Sequence, residues 1–247
     1  MSLEWPLPDF VDANGTRLAY RLIGPRSRPP VVLLHGLASS GATWRSFALA
    51  LVASGRQVIT PDLRGHGMSS HRDSYAFDDF RLDIEALLDR LGVTEIDLVG
   101  HSLGGRIATI IAQHRGLRIR RLVLEEMRPP LPDATTLTLT NLLTTAVRLP
   151  RDLGLTARLW SFDRSMVRPL VRQFGTPDPV WWSALPAMTT PTLAVHGGAG
   201  SYVPLARLRR AASLIPNCRL VTIEAGHRVH STRAAEFRAA VLPFLQE

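Results

Sequence analysis

Gly100-His101-Ser102-Leu103-Gly104 is the stretch that decides how this chain reads. It has the form G-x-S-x-G. Ile96-Asp97-Leu98-Val99 before it reads as a short strand, and Leu103 to Gln113 after it carries helical spacing. A serine between strand and helix, with glycines two places away on either side, marks a very tight turn where a side chain at 100 or 104 would collide with its neighbours. The turn lifts the hydroxyl above the sheet and sets it at a helix N-terminus, where backbone N–H groups stabilise developing negative charge. A chance glycine-rich turn is the plainer reading of the bare motif, and the strand and helix around it weigh against that.

Outward from this point the chain alternates. Towards the N-terminus, Val11 to Tyr20 reads as a hairpin around Asn14-Gly15, a pair suited to the positive φ of a two-residue turn. Val31 to Leu34 is a short apolar run fit for a strand buried on both faces, Thr43 to Ser54 a helix, Val58 to Thr60 a strand, and Asp78 to Leu91 an amphipathic helix. Towards the C-terminus, Leu122 to Leu124 reads as a strand. Arg128 to Thr190 then breaks the rhythm with eight prolines and no evident strand. Alternation resumes with Thr192 to Val195, Leu205 to Leu214, Leu220 to Ile223 and Ala234 to Leu245. Strands alternating with helices imply an α/β fold with a mostly parallel central sheet flanked by helices. Residues 1–128 and 190–247 form the expected core, and 129–189 an inserted helical cap.

The 247-residue length and the 45% hydrophobic, 20% charged composition suit one soluble globular unit. The net charge of +8 comes entirely from arginines, with no lysine, scattered without a basic stripe; a compositional bias explains it better than a nucleic-acid partner. One cysteine, Cys218, excludes an intrachain disulfide and fits a reducing, cytoplasmic setting. Met1 to Phe10 has no signal-peptide pattern, and no apolar run reaches membrane-spanning length. The eight histidines show no H-E-x-x-H arrangement, and no Lys-Ser/Thr ending makes a phosphate loop of Gly100 to Gly105, so no metal or cofactor is expected.

Beyond the elbow, His35-Gly36-Leu37 follows a strand, Asp62-Leu63-Arg64-Gly65-His66-Gly67-Met68-Ser69 follows another, and Gly226-His227 precedes the last helix. Together these resemble the α/β-hydrolase superfamily over nearly the full chain. The resemblance implies Ser102 as nucleophile, His227 as general base, and the N–H groups of Leu37 and Leu103 as oxyanion donors. His35, Gly36 and His101 flank those donors and, with Trp160, Trp181 and Trp182 of the cap, are the candidate substrate-binding residues; packing is the plainer explanation for each tryptophan, and structural hydrogen bonding for His35 and His66. His230 is a rival base, with a structural role as its default. Asp62 is expected to tie its loop together.

The chain departs from the common pattern after the seventh strand, where Gly200 stands in the acid's place. A branch of small bacterial esterases and their mitochondrial relatives supplies the acid after the sixth strand instead, in a form like L-V-x-x-D-x-x-P. Leu122-Val123-Leu124-Glu125-Glu126-Met127-Arg128-Pro129 resembles it, and Gly197 to Val203 resembles that branch's G-G-x-S-x-Y-V with the serine displaced by one place. The resemblance implies Glu126 as the acid, with Glu125 or no acid at all as alternatives. Strand alternation points the two carboxylates to opposite faces, so one of them is expected to reach His227.

The reading is a serine hydrolase cleaving a carboxylic ester or thioester of a small apolar acyl or aromatic substrate, without cofactor. The same fold hosts C–C hydrolysis, lactone opening and acyl transfer or cyclisation, and a catalytically silent ligand-binding relative is the alternative from another class.

Overall fold

The computed structural model describes residues 5–26, 29–114, 116–133 and 162–247. Its centre is an eight-stranded sheet in the order β1-β2-β4-β3-β5-β6-β7-β8. β1 (Asp9–Ala13) and β2 (Thr16–Ile23) form the hairpin, with Asn14 and Gly15 both at positive φ. β2 runs antiparallel to β4 (Val58–Pro61). From β4 onward every pairing is parallel, through β3 (Val31–Leu34), β5 (Glu95–His101), β6 (Arg118–Glu125), β7 (Thr192–His196) and β8 (Cys218–Thr222).

The central strands divide their side chains between two cores with the period of two that a pleated strand imposes. Val32, Leu34, Leu98, Leu122 and Leu124 point to one face, covered by α2 (Phe77–Arg90), α3 (Leu103–His114) and α6 (Leu205–Leu214). Val31, Leu33, Val99, Val123 and Val195 point to the other, covered by α1 (Arg45–Ala53) and α8 (Ala234–Gln246). Burial on both faces explains why β3 reads as an unbroken apolar run. The helix expected from Thr43 divides into a 3₁₀ turn, Gly41–Trp44, and α1, which ends before Gly55 at φ +80.

Between β6 and β7 the described residues hold α4 (Val167–Gly175) and α5 (Pro179–Ala184). Asp178 accepts from the Trp181 N–H at 2.9 Å and so caps α5, while its other oxygen receives Arg106 of α3 at 2.6 Å. Arg106 is buried, lies over the Trp181 ring, and is pushed down to about 10 by that burial, which leaves it charged at neutral pH. This segment is therefore fastened to the helix that follows Ser102. Trp160 and the rest of 134–161 lie outside the described residues.

β3 and β5 are neighbours although β4 lies between them in sequence, and the helices that follow them lie on opposite faces. That divergence opens a crevice at their carboxyl ends, where doubly wound sheets place their ligand sites. Beneath the sheet, Asp97 on β5 is fully buried and receives the guanidinium groups of Arg56 and, at 2.6 Å, Arg120; both arginines also donate to the Leu245 carbonyl. Asp97→Ala is expected to strand Arg56 as an uncompensated buried charge and cost about 3–5 kcal/mol. A urea unfolding curve checks this, and an unchanged midpoint would contradict it.

Candidate active site

Ser102 sits at φ +52, a left-handed conformation rare for a residue with a side chain. The glycines around it are required by distance. A Cβ on Gly100 would lie 2.4 Å from the Gly104 carbonyl oxygen, and one on Gly104 would lie 2.3 Å from that of Leu34. Two backbone bonds hold the turn: Ser102 N–H to the Glu125 carbonyl at 2.9 Å, and Gly104 N–H to the His35 carbonyl at 3.1 Å. The nucleophile candidate is thus pinned to the ends of β3 and β6, its neighbours in the sheet.

The loop after β3 lies against this turn. A Cβ on Gly36 would fall 2.7 Å from His101 Nδ1 and 3.3 Å from Ser102 Cβ. Ala38 at φ +57 bends the chain just after Leu37. The N–H groups of Leu37 and Leu103 have no hydrogen-bond partner among the described residues, the condition in which they can receive an oxyanion.

His35 is fully buried. Its Nδ1 donates to the Gly36 carbonyl at 2.8 Å and its Nε2 accepts from Leu63 N–H at 3.0 Å. Both ring nitrogens are taken, which fixes the neutral tautomer and ties the β3 loop to the β4 loop. Asp62 does similar work, accepting from Gly41 N–H at 2.7 Å and Met68 N–H at 2.9 Å. His66 packs edge-on to His35 and stacks with Phe162. Trp181 and Trp182 are buried, with Trp182 Nε1 donating to the Pro130 carbonyl.

His227 lies on the loop after β8, buried beneath three contacts. Its Nδ1 donates to Glu126 Oε2 at 3.1 Å, its carbonyl accepts from His101 Nε2 at 2.7 Å, and the Tyr202 hydroxyl donates to its Nε2. Among the described residues no hydrogen bond joins Ser102 Oγ to His227; the phenol holds that nitrogen instead. Burial, the neighbouring His230 and Arg228 push His227 down to about 3, so the ring is a neutral base at ordinary pH.

The two adjacent carboxylates serve different histidines. Glu126 follows β6 at φ +51, which breaks the alternation and turns its side chain towards His227. It also accepts from Gly197 N–H and Ser201 Oγ, each at 2.6 Å. Burial raises its carboxyl, and these two bonds oppose the rise. Glu125, the last residue of β6, is fully buried and accepts the Nδ1–H and backbone N–H of His230. Gly200 takes no part as an acid; Gly198–Gly200 form a 3₁₀ turn whose following residue, Ser201, supports Glu126.

Reading the sequence alone missed three of these contacts: Ser201 on Glu126, Tyr202 on His227, and the pairing of Glu125 with His230. The Gly-Ser-Tyr run after β7 carried a signal for the first two. No local pattern announces the third, because Glu125 and His230 are 105 residues apart. Among the described residues no group of three His, Cys, Asp or Glu side chains is placed to hold a metal ion, and no helix is long and apolar enough to cross a membrane.

A family model described as the alpha/beta hydrolase fold matches residues 29–154. The sn-1-specific diacylglycerol lipase ABHD11 of Mus musculus is 29% identical, over 95% of this chain and 87% of its own. Non-heme chloroperoxidase CPO-A1 of Kitasatospora aureofaciens is 30% identical over 88% and 90%. Among solved structures, a thioesterase domain from the curacin biosynthetic pathway superposes with a TM-score of 0.77 at 26% identity, covering 96% of this chain and 98% of that domain.

Four buried histidines share one electrostatic property. Desolvation pushes His35 down to about 4 and His66, His101 and His227 to about 3. In the unfolded chain such groups take up protons near pH 6.5. Between those limits the unfolded state binds more protons, so stability falls as pH drops below about 6.5, by up to about 1.4 kcal/mol per pH unit for each group. Urea midpoints at pH 7.5 and pH 5 are expected to show a marked loss at the lower value; equal midpoints would contradict the burial of neutral imidazoles.

Proposed function

The chain belongs to the α/β-hydrolase family, and from that premise we propose that it is a serine hydrolase cleaving a carboxylic ester or thioester through an acyl-enzyme on Ser102. The observation that carries this reading is the left-handed Ser102 on its glycine-flanked turn, with the neutral His227–Glu126 pair joined to the same turn through His101.

In this reading Ser102 Oγ attacks the acyl carbonyl while its proton passes to His227 Nε2. The Leu37 and Leu103 N–H groups hold the resulting oxyanion, a contribution of about 3–4 kcal/mol in comparable sites. Glu126 orients the ring through Nδ1 and stabilises the imidazolium as it forms. The tetrahedral intermediate collapses, the leaving alcohol or thiol takes the proton from His227, and an acyl-serine remains. Water, deprotonated by the same histidine, then attacks the acyl carbon and releases the acid. The Tyr202 hydroxyl must leave Nε2 before Ser102 can use it.

Between β6 and β7 the described residues 162–189 carry the buried Trp181 and Trp182, whose apolar side chains suit a cap that takes an apolar substrate. An apolar acyl group fits that composition, and the lipase and thioesterase names among the similar proteins agree with acyl chemistry. A reducing, cytoplasmic setting accords with the lone Cys218, whose thiol burial pushes up to about 11, well away from a reactive thiolate.

Hydrolysis of p-nitrophenyl esters from acetyl to long acyl tests the proposal. Wild type should turn over and label with a fluorophosphonate probe, whereas Ser102→Ala should lose both, with kcat down on the order of 10³-fold or more. Glu126→Gln should keep the probe site but lose about 10²–10⁴-fold in kcat. A wild-type protein inert to every ester and to the probe sinks the hydrolase reading and leaves a ligand-binding relative in its place.

A further inference from the structure

The end of β6 carries two fully buried carboxylates, and the mechanism above uses one. Glu125 Oε1 accepts the backbone N–H of His230 at 2.9 Å, and its Oε2 lies 2.8 Å from His230 Nδ1. The far nitrogen of the same ring, Nε2, is 2.9 Å from Thr43 Oγ1, and Trp44 covers the ring at 4.1 Å between centroids. His101 meets His230 edge-on at 5.1 Å and donates to the His227 carbonyl at 2.7 Å.

These contacts converge on one short segment. Residues 227 and 230 flank the start of α7 (Val229–Thr232), so a carboxylate that grips the His230 N–H and ring also fixes where His227 hangs. The Thr43 and Trp44 contacts come from the 3₁₀ turn after β3, and the Glu125 contact comes from the end of β6. The loop bearing the base is thereby tied to the strand ends on both sides of the nucleophile turn.

We propose that Glu125 and His230 form a non-reacting carboxylate–imidazole pair that positions His227 over Ser102, so that both β6 carboxylates serve one base, Glu126 directly and Glu125 through the loop. The proposal rests on the serine-hydrolase reading. Outer partners that hold a reacting imidazole in place act through geometry, and a displacement of about 1 Å costs on the order of 100-fold in rate.

The pair also acts through charge. Burial raises the Glu125 carboxyl, but His230, which bonds it through both its ring and its backbone N–H, outweighs that and helps hold the group below the usual carboxylate range, so it stays ionised. The groups facing His227 are Glu126 from β6, His101 from the nucleophile turn, Tyr202 from the β7 loop, and Arg228 and His230 from its own segment. Of these, His230 and Arg228 disfavour a second proton on His227.

The test uses the full-length protein with Glu125→Gln, Glu125→Asp and His230→Gln, each checked by thermal melting. Glu125→Gln keeps an acceptor for the His230 N–H and removes the charge. Its kcat on a p-nitrophenyl ester should fall about 10-fold to 100-fold with KM nearly unchanged, and Glu125→Asp should recover part of the loss. His230→Gln should likewise lower kcat with KM nearly unchanged while Ser102 still labels with a fluorophosphonate, a split that a merely structural role would not give. Should Glu125→Gln fail to fold, the kcat-against-KM split in His230→Gln decides alone. Folded variants with lowered melting temperatures but wild-type kcat and KM overturn the positioning role. A wild type that neither turns over nor labels with a fluorophosphonate removes the hydrolase reading itself, a result distinct from altered kinetics in an active enzyme.

Discussion

Everything in the crevice depends on how closely the backbone passes itself at residues 100 and 104. With glycine at both, the chain turns from β5 into α3 within a space that no Cβ could share. Ser102 is left in a left-handed conformation that costs on the order of 1–3 kcal/mol and persists only where its surroundings over-determine it. Here they do. The Ser102 N–H is committed to β6 and the Gly104 N–H to the end of β3, so the serine takes its position from sheet register rather than from a free loop. The in-register pairing of Gly100 with Leu124 and His101 with Glu125 extends that control to the carboxylates on the next strand.

That register brings Glu126, the carboxylate that follows β6, within hydrogen-bond reach of His227 on the loop after β8. Glu126 begins one residue beyond the partner of His101, and its positive φ swings the side chain back across the sheet end. The loop after β7 forms a hydrogen-bonding cradle for Glu126 through Gly197 N–H and Ser201 Oγ. Its glycines follow from the same crowding: a Cβ on Gly197 would lie 1.9 Å from the Gly226 carbonyl oxygen, on the loop that bears His227. Gly198, at φ +73, leaves room for the Glu224 carboxylate, which accepts from Ala199 N–H at 2.9 Å. The two loops can lie side by side because Gly197 and Gly198 carry no side chain there.

Local patterns made the strands, the hairpin turn and the nucleophile turn legible, because each is written within a few consecutive residues. Asn14-Gly15 and Gly100 to Gly104 specify their own backbone angles, and the apolar runs of β3 and β7 specify their burial. Side-chain partnerships across long separations were less legible. Alternation expected Glu125 and Glu126 to part, yet it could not say that each would find its own histidine, since the positive φ that redirects Glu126 has no glycine to announce it. The Arg106–Asp178 anchor was invisible for a similar reason. A buried arginine on the helix after the nucleophile reads like any surface arginine until its partner 72 residues away is known.

The Tyr202 contact bears on the chemistry in a way the hydrogen-bond pattern itself makes explicit. A carboxylate can only accept, so Glu126 requires the proton of neutral His227 to sit on Nδ1. A phenol pointing at Nε2 then donates into that nitrogen's lone pair. This is the tautomer a general base needs when it faces a serine hydroxyl. In the proposed mechanism the phenol occupies the place of the incoming proton. His101 reinforces the arrangement, for its Nε2–H is committed to the His227 carbonyl and its own burial keeps it neutral, which spares His227 a cationic neighbour on that side. The bonds to Glu126, Tyr202 and His101 together fix the tautomer and the orientation of the His227 ring.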